Sequence, residues 1–228
     1  MNLSSAREML RITSVQLQKK NPSRFNIFLD GQFVFGVDED LIVEYRLVVG
    51  KVIDPPFLEK LLFEAEVGKL MERMYRLWNV RSRSEKEVVE YFRSKNYELR
   101  IKRKEQVSDL AVELVIKKLK QKGLLDDLVF AKAWAEARRR SGKKGRIALK
   151  QELFQKGIAK EIIEEVISQQ SSAVSEEELA RQALEKKMKL WSALSYLEKK
   201  KKMYEFLLRR GFEYEVVKSV VENLMQKR

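Results

Sequence analysis

Residues 138–150 read RRRSGKKGRIALK, with seven basic side chains (Arg138, Arg139, Arg140, Lys143, Lys144, Arg146, Lys150) and no acidic one. Arginine and lysine on glycine-interrupted backbone suit phosphate oxygens and carry no base selection. The chemistry on offer is therefore binding of a polyanion or an acidic protein surface. Cations at a helix C-terminus also favour the helix dipole, which accounts for part of the cluster without any partner. A second basic region, EKKKK at 198–202 with Arg209 and Arg210 beyond it, adds Lys199, Lys200, Arg209 and Arg210 as candidate contacts. A solvated helix face explains this second region equally well. The SGKKGR segment lacks the GxxxxGK[ST] order of a phosphate-binding loop, and no strand precedes it. Asp126-Asp127 stands where a helix begins, so capping is the simpler role for it than metal or acid–base chemistry.

The chain has neither histidine nor cysteine. The commonest general base, the thiol nucleophile and nearly all zinc chemistry are thereby removed, and no cofactor motif takes their place. The formal charge is +13. Residues 1–56 hold seven basic and seven acidic side chains, so the whole excess belongs to residues 57–228. Such an asymmetry points to a polyanionic partner for the larger part. No apolar run approaches the roughly 18 residues of a membrane span. The N-terminal MNLSSAREML lacks a signal-peptide core. The expected location is cytoplasmic, with no membrane partner.

These basic segments must be positioned by helices. Charged residues make up 36% of the chain against 9 Gly and 3 Pro, a balance that favours long solvated helices over a turn-rich β fold. Only the first 56 residues read as β. RITSVQLQ (11–18) alternates, and RFNIFLDGQFVFGV (24–37) sets Asp30-Gly31 between two apolar runs, a strong hairpin signal. A two-residue turn there pairs Phe28 with Phe33 and Ile27 with Val34. Both faces of the hairpin are then apolar, and a further strand and a neighbouring element must cover them. The DPP at 54–56 closes the segment.

From residue 57 the period is helical. FLEKLLFEAEVGKLMERMYRLW (57–78) carries the stripe Leu70, Met71, Met74, Tyr75, Trp78, and the helix after Asp126 carries Val129, Phe130, Ala133, Trp134, Ala137. Helix starts are marked by Ser84 with Glu87 as a capping box, by Asp126, and by SEEE at 175–178. One joint recurs, as FRSKNY, LFQKGI and LLRRGF, with Asn96, Gly157 and Gly211 as equivalent positions. Apolar pairs follow each joint at matching offsets: Ile162-Ile163 and Val166-Ile167 after Gly157, Val216-Val217 and Val220-Val221 after Gly211. The first copy gives Ala111-Val112 and Val115-Ile116 once ten extra residues in ELRIKRKEQVSDL are allowed. The chain thus holds three units of three helices. Glycine at the joint lets a helix stop through left-handed φ, and Asn96 is the best non-glycine substitute.

A helix-turn-helix would push the helix after the joint into the major groove. Residues 159–167 oppose Lys160 with Glu161, Glu164 and Glu165, and residues 213–221 oppose Lys218 with Glu213 and Glu215. Acidic helices without Arg, Asn or Gln for base edges are repelled by DNA, which argues against sequence-specific reading through these joints.

The residues resemble the RecX regulatory proteins of bacteria. The likeness covers about residues 70–224 and rests on RSEKEVVEYFRSKNY, VIKKLKQKGLLDDLVFAKAWAEARR, KKGRIALKQELFQKGI and YEFLLRRGFEYEVVKSVV. The resemblance implies three tandem three-helix repeats in an elongated, curved array after a small β-rich module. It implies binding to the RecA filament and to single-stranded DNA, with duplex DNA, bound without sequence preference, as a further candidate. It implies inhibition of strand exchange, ATP hydrolysis and co-protease activity, and no catalysis by this chain. Its motif positions here are Leu125, Asp126, Asp127, Phe130, Ala131, Trp134, Arg138, Lys144, Gly145, Ile147, Glu152, Leu153, Lys156, Gly157 and Ile158. Most are apolar or capping positions; Arg138, Lys144 and Lys156 are the ones assigned to a partner. The competing reading is a stand-alone nucleic-acid-binding structural or transcriptional regulator with helix-turn-helix-like units. The expected domains are a β module at 1–56 and repeats at 57–123, 124–171 and 172–228, in a monomer.

Overall fold

The computed structural model describes residues 9–19, 21–104, 106–169 and 175–226. Arg7, Glu8, Lys20 and Glu105, and most of the N-terminal MNLSSAREML, lie outside the described residues. The chain divides into two compact units. One takes the described residues up to Ser82 together with Tyr91–Leu124; the other takes Arg83–Glu90 and the residues from Leu125 onward. The β module and most of the first repeat thus share one unit, and repeats two and three share the other.

In the first unit, strands β1 (Leu10–Gln18), β2 (Asn21–Leu29), β3 (Gln32–Asp38) and the short β4 (Val52–Ile53) form an antiparallel sheet in the order β3-β2-β1-β4. Asp30 and Gly31 both have positive φ, 46° and 81°, as a two-residue hairpin turn between β2 and β3 requires. Phe28 pairs with Phe33 as expected, but Ile27 pairs with Phe35 and not with Val34, because the register shifts between Ile27 and Phe28. Val34 is the extra residue of a bulge. The shift brings Phe35 to the buried face with Ile27 and leaves Phe33 outside, edge-on to Phe28. Helix α1 (Glu39–Tyr45) follows, and α2 (Pro55–Trp78) starts with Asp54 as N-cap and Pro55 at its first position. Leu61 and Ala65 of α2 join Ile12, Ile27, Phe35 and Ile53 in one core. Leu70, Met71 and Met74 are buried as expected, while Tyr75 is exposed.

The first repeat is completed by α3 (Glu85–Ile101) and α4 (Asp109–Gln121). Here the structure corrects the expected joint. Asn96 lies inside α3 and does not end it; the left-handed residue is Arg103, φ 51°, beyond the last turn of the helix. Lys104 N–H donates to Leu99 O at 2.9 Å, the bond that closes a Schellman end. Much of the ten-residue surplus is therefore helix. Asn96 instead pins the connection to α4: its side-chain amide donates to Val107 O and accepts from Val107 N–H, both at 2.9 Å.

The second unit holds α5 (Asp127–Ala137), a π-helical turn (Arg138–Gly142), α6 (Arg146–Gln155) and α7 (Lys160–Gln169). It continues with α8 (Glu176–Leu190), α9 (Tyr196–Arg209) and α10 (Tyr214–Gln226). Gly157 and Gly211 both have φ of +80°, and the N–H groups of Ile158 and Phe212 bond back to Leu153 O and Leu207 O. Ile158 and Phe212 then enter the cores of their repeats, beside Ile163 and Val166 in one and Val217 and Val220 in the other. The buried face of α5 differs from the expected stripe. Phe130, Ala131 and Ala135 face inward, while Val129, Ala133 and Ala137 are exposed. An alanine-rich helix marks its face weakly, so the larger Val129 misleads.

Each of these joints also receives the start of the second helix of the preceding repeat. Gly145 N–H donates to Arg210 O and Ile147 N–H to Gly211 O, each at 3.0 Å, so the N-terminus of α6 caps the C-terminus of α9. Likewise Ser84 Oγ donates to Lys156 O at 2.7 Å and Lys86 Nζ to Gln155 O at 3.0 Å. A Cβ on Gly211 would stand 2.3 Å from Ala148 N, and one on Gly145 2.4 Å from Gly211 O. Gly123 also has positive φ, +67°, but nothing stands within 4 Å of its would-be Cβ. Gly123→Ala is thus expected to cost about 1 kcal/mol, the left-handed penalty alone. Gly211→Ala is expected to cost about 3 kcal/mol, because overpacking adds to that penalty. Urea unfolding followed by far-UV circular dichroism compares the two, and equal losses would show that docking sets no demand on Gly211.

Candidate nucleic-acid and partner interface

The basic run from Arg138 to Lys150 spans the π turn, the left-handed Lys143 (φ 48°) and the first turn of α6. Glutamates from outside the run meet most of its cations. Glu152, on α6, is the centre of one cluster. Its Oε2 accepts from Trp134 Nε1 at 3.0 Å and from Arg138 Nε at 2.9 Å, and Lys144 Nζ lies 3.5 Å from its Oε1. Phe130 stacks on Trp134, and the Arg138 guanidinium lies 4.4 Å from the Trp134 ring centre. Lys156 approaches the same ring at 4.9 Å and pairs with Glu87 of α3.

Glu176, the first residue of α8, holds Arg139 at 2.6 Å, and Arg146 lies 3.9 Å away. Lys150 reaches both oxygens of Glu164 at 3.0 Å. Arg140 pairs with Glu136 one turn back, and its side chain remains 76% exposed. Arg210 donates to Gly142 O and covers the Phe206 ring. Lys143, Lys200 and Arg209 make no ion pair among the described residues. Lys143 and Lys200 are half-buried and Arg209 is exposed. Lys199 lies on the inner side of α9, 4% exposed. Near it, the hydroxyl and backbone N–H of Ser195 close a capping box and hold the Glu198 carboxyl below the ordinary carboxylate range.

The seven cations of the run thus outnumber the carboxylates that meet them, Glu136, Glu152, Glu164 and Glu176. All four fall outside the basic window or beyond its last residue, so a reading confined to 138–150 misses them. The usable signals are the Glu136–Arg140 spacing of one turn and the acidic helix start at Glu176. Asp126 and Asp127 do cap helices, but different ones. Asp126 accepts from Leu128 N–H and Val129 N–H of α5, and Asp127 accepts from Glu85 N–H of α3 at 3.0 Å. Among the described residues, no three potential metal ligands converge, and no helix is long and apolar enough to cross a membrane.

Comparison with known proteins bears on both units. The family model described as the regulatory protein RecX N-terminal domain matches residues 10–54. Those for the RecX second and third three-helix domains match residues 126–167 and 175–221. The regulatory protein RecX of Listeria monocytogenes serotype 4b is 30% identical over 209 residues, covering 92% of this chain and 74% of its own. The chain belongs to the RecX family. The RecX of Bacillus velezensis is 33% identical over 214 residues, covering 92% of this chain and 76% of its own. A crystal structure of regulatory protein RecX shares the fold with a TM-score of 0.69 at 24% identity, over 93% of this chain and 99% of the other. RecX from Lactobacillus salivarius shares it with a TM-score of 0.57 at 23% identity, over 70% and 96%.

The RecX motif positions now have physical roles. Trp134, Arg138, Lys144, Glu152 and Lys156 form the cluster around the Trp134 ring, and Gly145 and Gly157 admit neighbouring helices. Removing the Glu152 charge leaves Arg138 and Lys144 without their counter-ion. Glu152→Gln is expected to destabilise this unit by about 1–3 kcal/mol and to shift the indole N–H resonance of Trp134. An unmoved resonance with unchanged unfolding would remove Glu152 from the centre of the cluster.

Proposed function

We propose that this chain is a negative regulator of the RecA recombinase. In this reading it binds the RecA filament on single-stranded DNA as a monomer and inhibits strand exchange, ATP hydrolysis and co-protease activity. It does so without catalysis of its own, in the cytoplasm, within recombination, DNA repair and the SOS response. Membership of the RecX family supports the RecA partner. The observation that carries the contact surface is the charge left after internal pairing: Arg140, Lys143, Lys200 and Arg209 either lack an ion pair among the described residues or keep only an exposed one. These four are the proposed contacts with phosphate or with acidic protein surface. Arg138, Arg139, Lys144, Arg146, Lys150, Lys156 and Arg210 support them from behind, each held by an internal partner. Exposed Glu161, Glu164, Glu165, Glu213 and Glu215 on or beside the helices after the joints keep those helices away from a DNA groove.

The purified protein is expected to slow single-strand-dependent ATP hydrolysis by RecA at near-equal ratios, and no effect at several-fold excess would overturn the reading. Replacing Arg140, Lys143, Lys200 and Arg209 by Ala should leave the helical circular dichroism and its melting intact. The variant should weaken filament binding and lower the slope of log affinity against log salt by about 3, roughly 0.7 for each lost phosphate contact. Binding and slope equal to the parent's would show that these four cations are merely solvated.

A further inference from the structure

The first unit contains a cleft of about 1130 Å³ between β2–β3, α2 and the connection from α3 to α4. Part of its solvent-facing wall is apolar: Phe33 is 54% exposed, Leu62 40% and Leu110 69%, and half-buried Phe63 and Leu99 also line it. Isolated exposed apolar residues are ordinary, but several lining one concavity mark a binding surface. Cations predominate among the charged residues of the lining. Lys69 and Arg73 stand one turn apart on α2, and Lys104 follows the end of α3. None of the three makes an ion pair among the described residues. The two acids among the described lining residues are already engaged. Glu66 accepts from the N–H and hydroxyl of Ser108, both at 3.1 Å. Glu72 accepts from Asn21 at 2.8 Å and from Arg24 at 3.5 Å, with Arg76 at 3.8 Å.

We infer that this cleft is a docking site for an acidic peptide segment that also carries apolar side chains. Carboxylates on such a peptide meet Lys69, Arg73 and Lys104, while its Leu or Phe side chains cover Phe33, Leu62 and Leu110. A nucleic-acid strand answers only half of the surface. Its phosphates suit the cations, but its base edges bring donors and acceptors that a Leu and Phe lining leaves unsatisfied. Single-strand grooves also rely on free aromatic faces, and the Phe33 ring is already set edge-to-face against Phe28 at 5.9 Å. The site shares no residue with the cations proposed for the filament, so the two readings stand or fall separately.

The test titrates the full-length ¹⁵N-labelled protein with a pooled set of peptides built from Asp, Glu, Leu and Phe. Controls are a pool in which Asn and Gln replace the acids, and oligodeoxythymidine. The acidic pool is expected to shift amides at Leu62, Lys69, Arg73 and Leu110 and to leave those of α5 and α6 in place. The double variant Lys69→Glu/Arg73→Glu should weaken labelled-pool binding at least about tenfold with unchanged circular dichroism, and Leu110→Ala should weaken it as well. The inference is overturned if the acidic pool moves none of these amides or if the neutral pool moves them equally. Cleft shifts driven by oligodeoxythymidine in place of the peptides, or a charge-reversed variant that binds like the parent, would overturn it too.

Discussion

Helix ends carry unsatisfied backbone groups, and the second unit is organised around one way of satisfying them in pairs. The N-terminus of α6 brings Gly145 N–H and Ile147 N–H onto Arg210 O and Gly211 O at the C-terminus of α9. Donors without partners at one end meet acceptors without partners at the other, and the two dipole ends attract. The approach is possible only because Gly145 and Gly211 present no Cβ. At the other joint Ser84 and Lys86, at the start of α3, perform the same service for Lys156 O and Gln155 O with side-chain donors. The apolar cores of the repeats form around helices whose ends this contact fixes.

The charge cluster depends on that arrangement. Because α6 is held at its first turn, Glu152 faces Trp134 and Arg138 at the end of α5, and the π turn delivers Arg139 to Glu176 at the start of α8. The Arg139–Glu176 pair is nearly buried on both sides, at 11% and 10% side-chain exposure. A pair so desolvated is costly to break from one side and adds little net stability over an apolar substitute, so its effect is on which geometry forms. The cations that look alike in sequence thus divide by position into those that define the backbone path and those that face solvent.

Much of this is legible in the residues. Positive φ at Gly157 and Gly211, caps at Asp126 and Ser175, the Asp30-Gly31 turn and the repeat of three helices follow from local chemistry that tertiary contacts reinforce. The departures have a common origin in contacts that local pattern does not encode. Asparagine tolerates left-handed φ, which suggests Asn96 for a joint, yet its amide is engaged by Val107, and Arg103 takes the strained position instead. An ideal ladder pairs Val34 with Ile27, while a bulge advances Phe35 into the core. The run at 138–150 looks uniformly available in sequence because its glutamates all lie outside it, two of them on α7 and α8. The engaged states of Glu66 and Glu72, on which the charge of the first-unit cleft depends, likewise appear only once the chain has folded.

The obstacles at the three glycines differ in kind. At Gly157 the crowding atoms belong to the side chain of Lys86, and a second substitution at that neighbour could clear the space. At Gly145 and Gly211 the crowding atoms include each other's or a neighbour's backbone: Gly211 O for one, Ala148 N for the other. No change of residue type removes a peptide group. At these two positions no substitution of a neighbour clears the space, and only a shift in the spacing of the two helices would make room for a side chain.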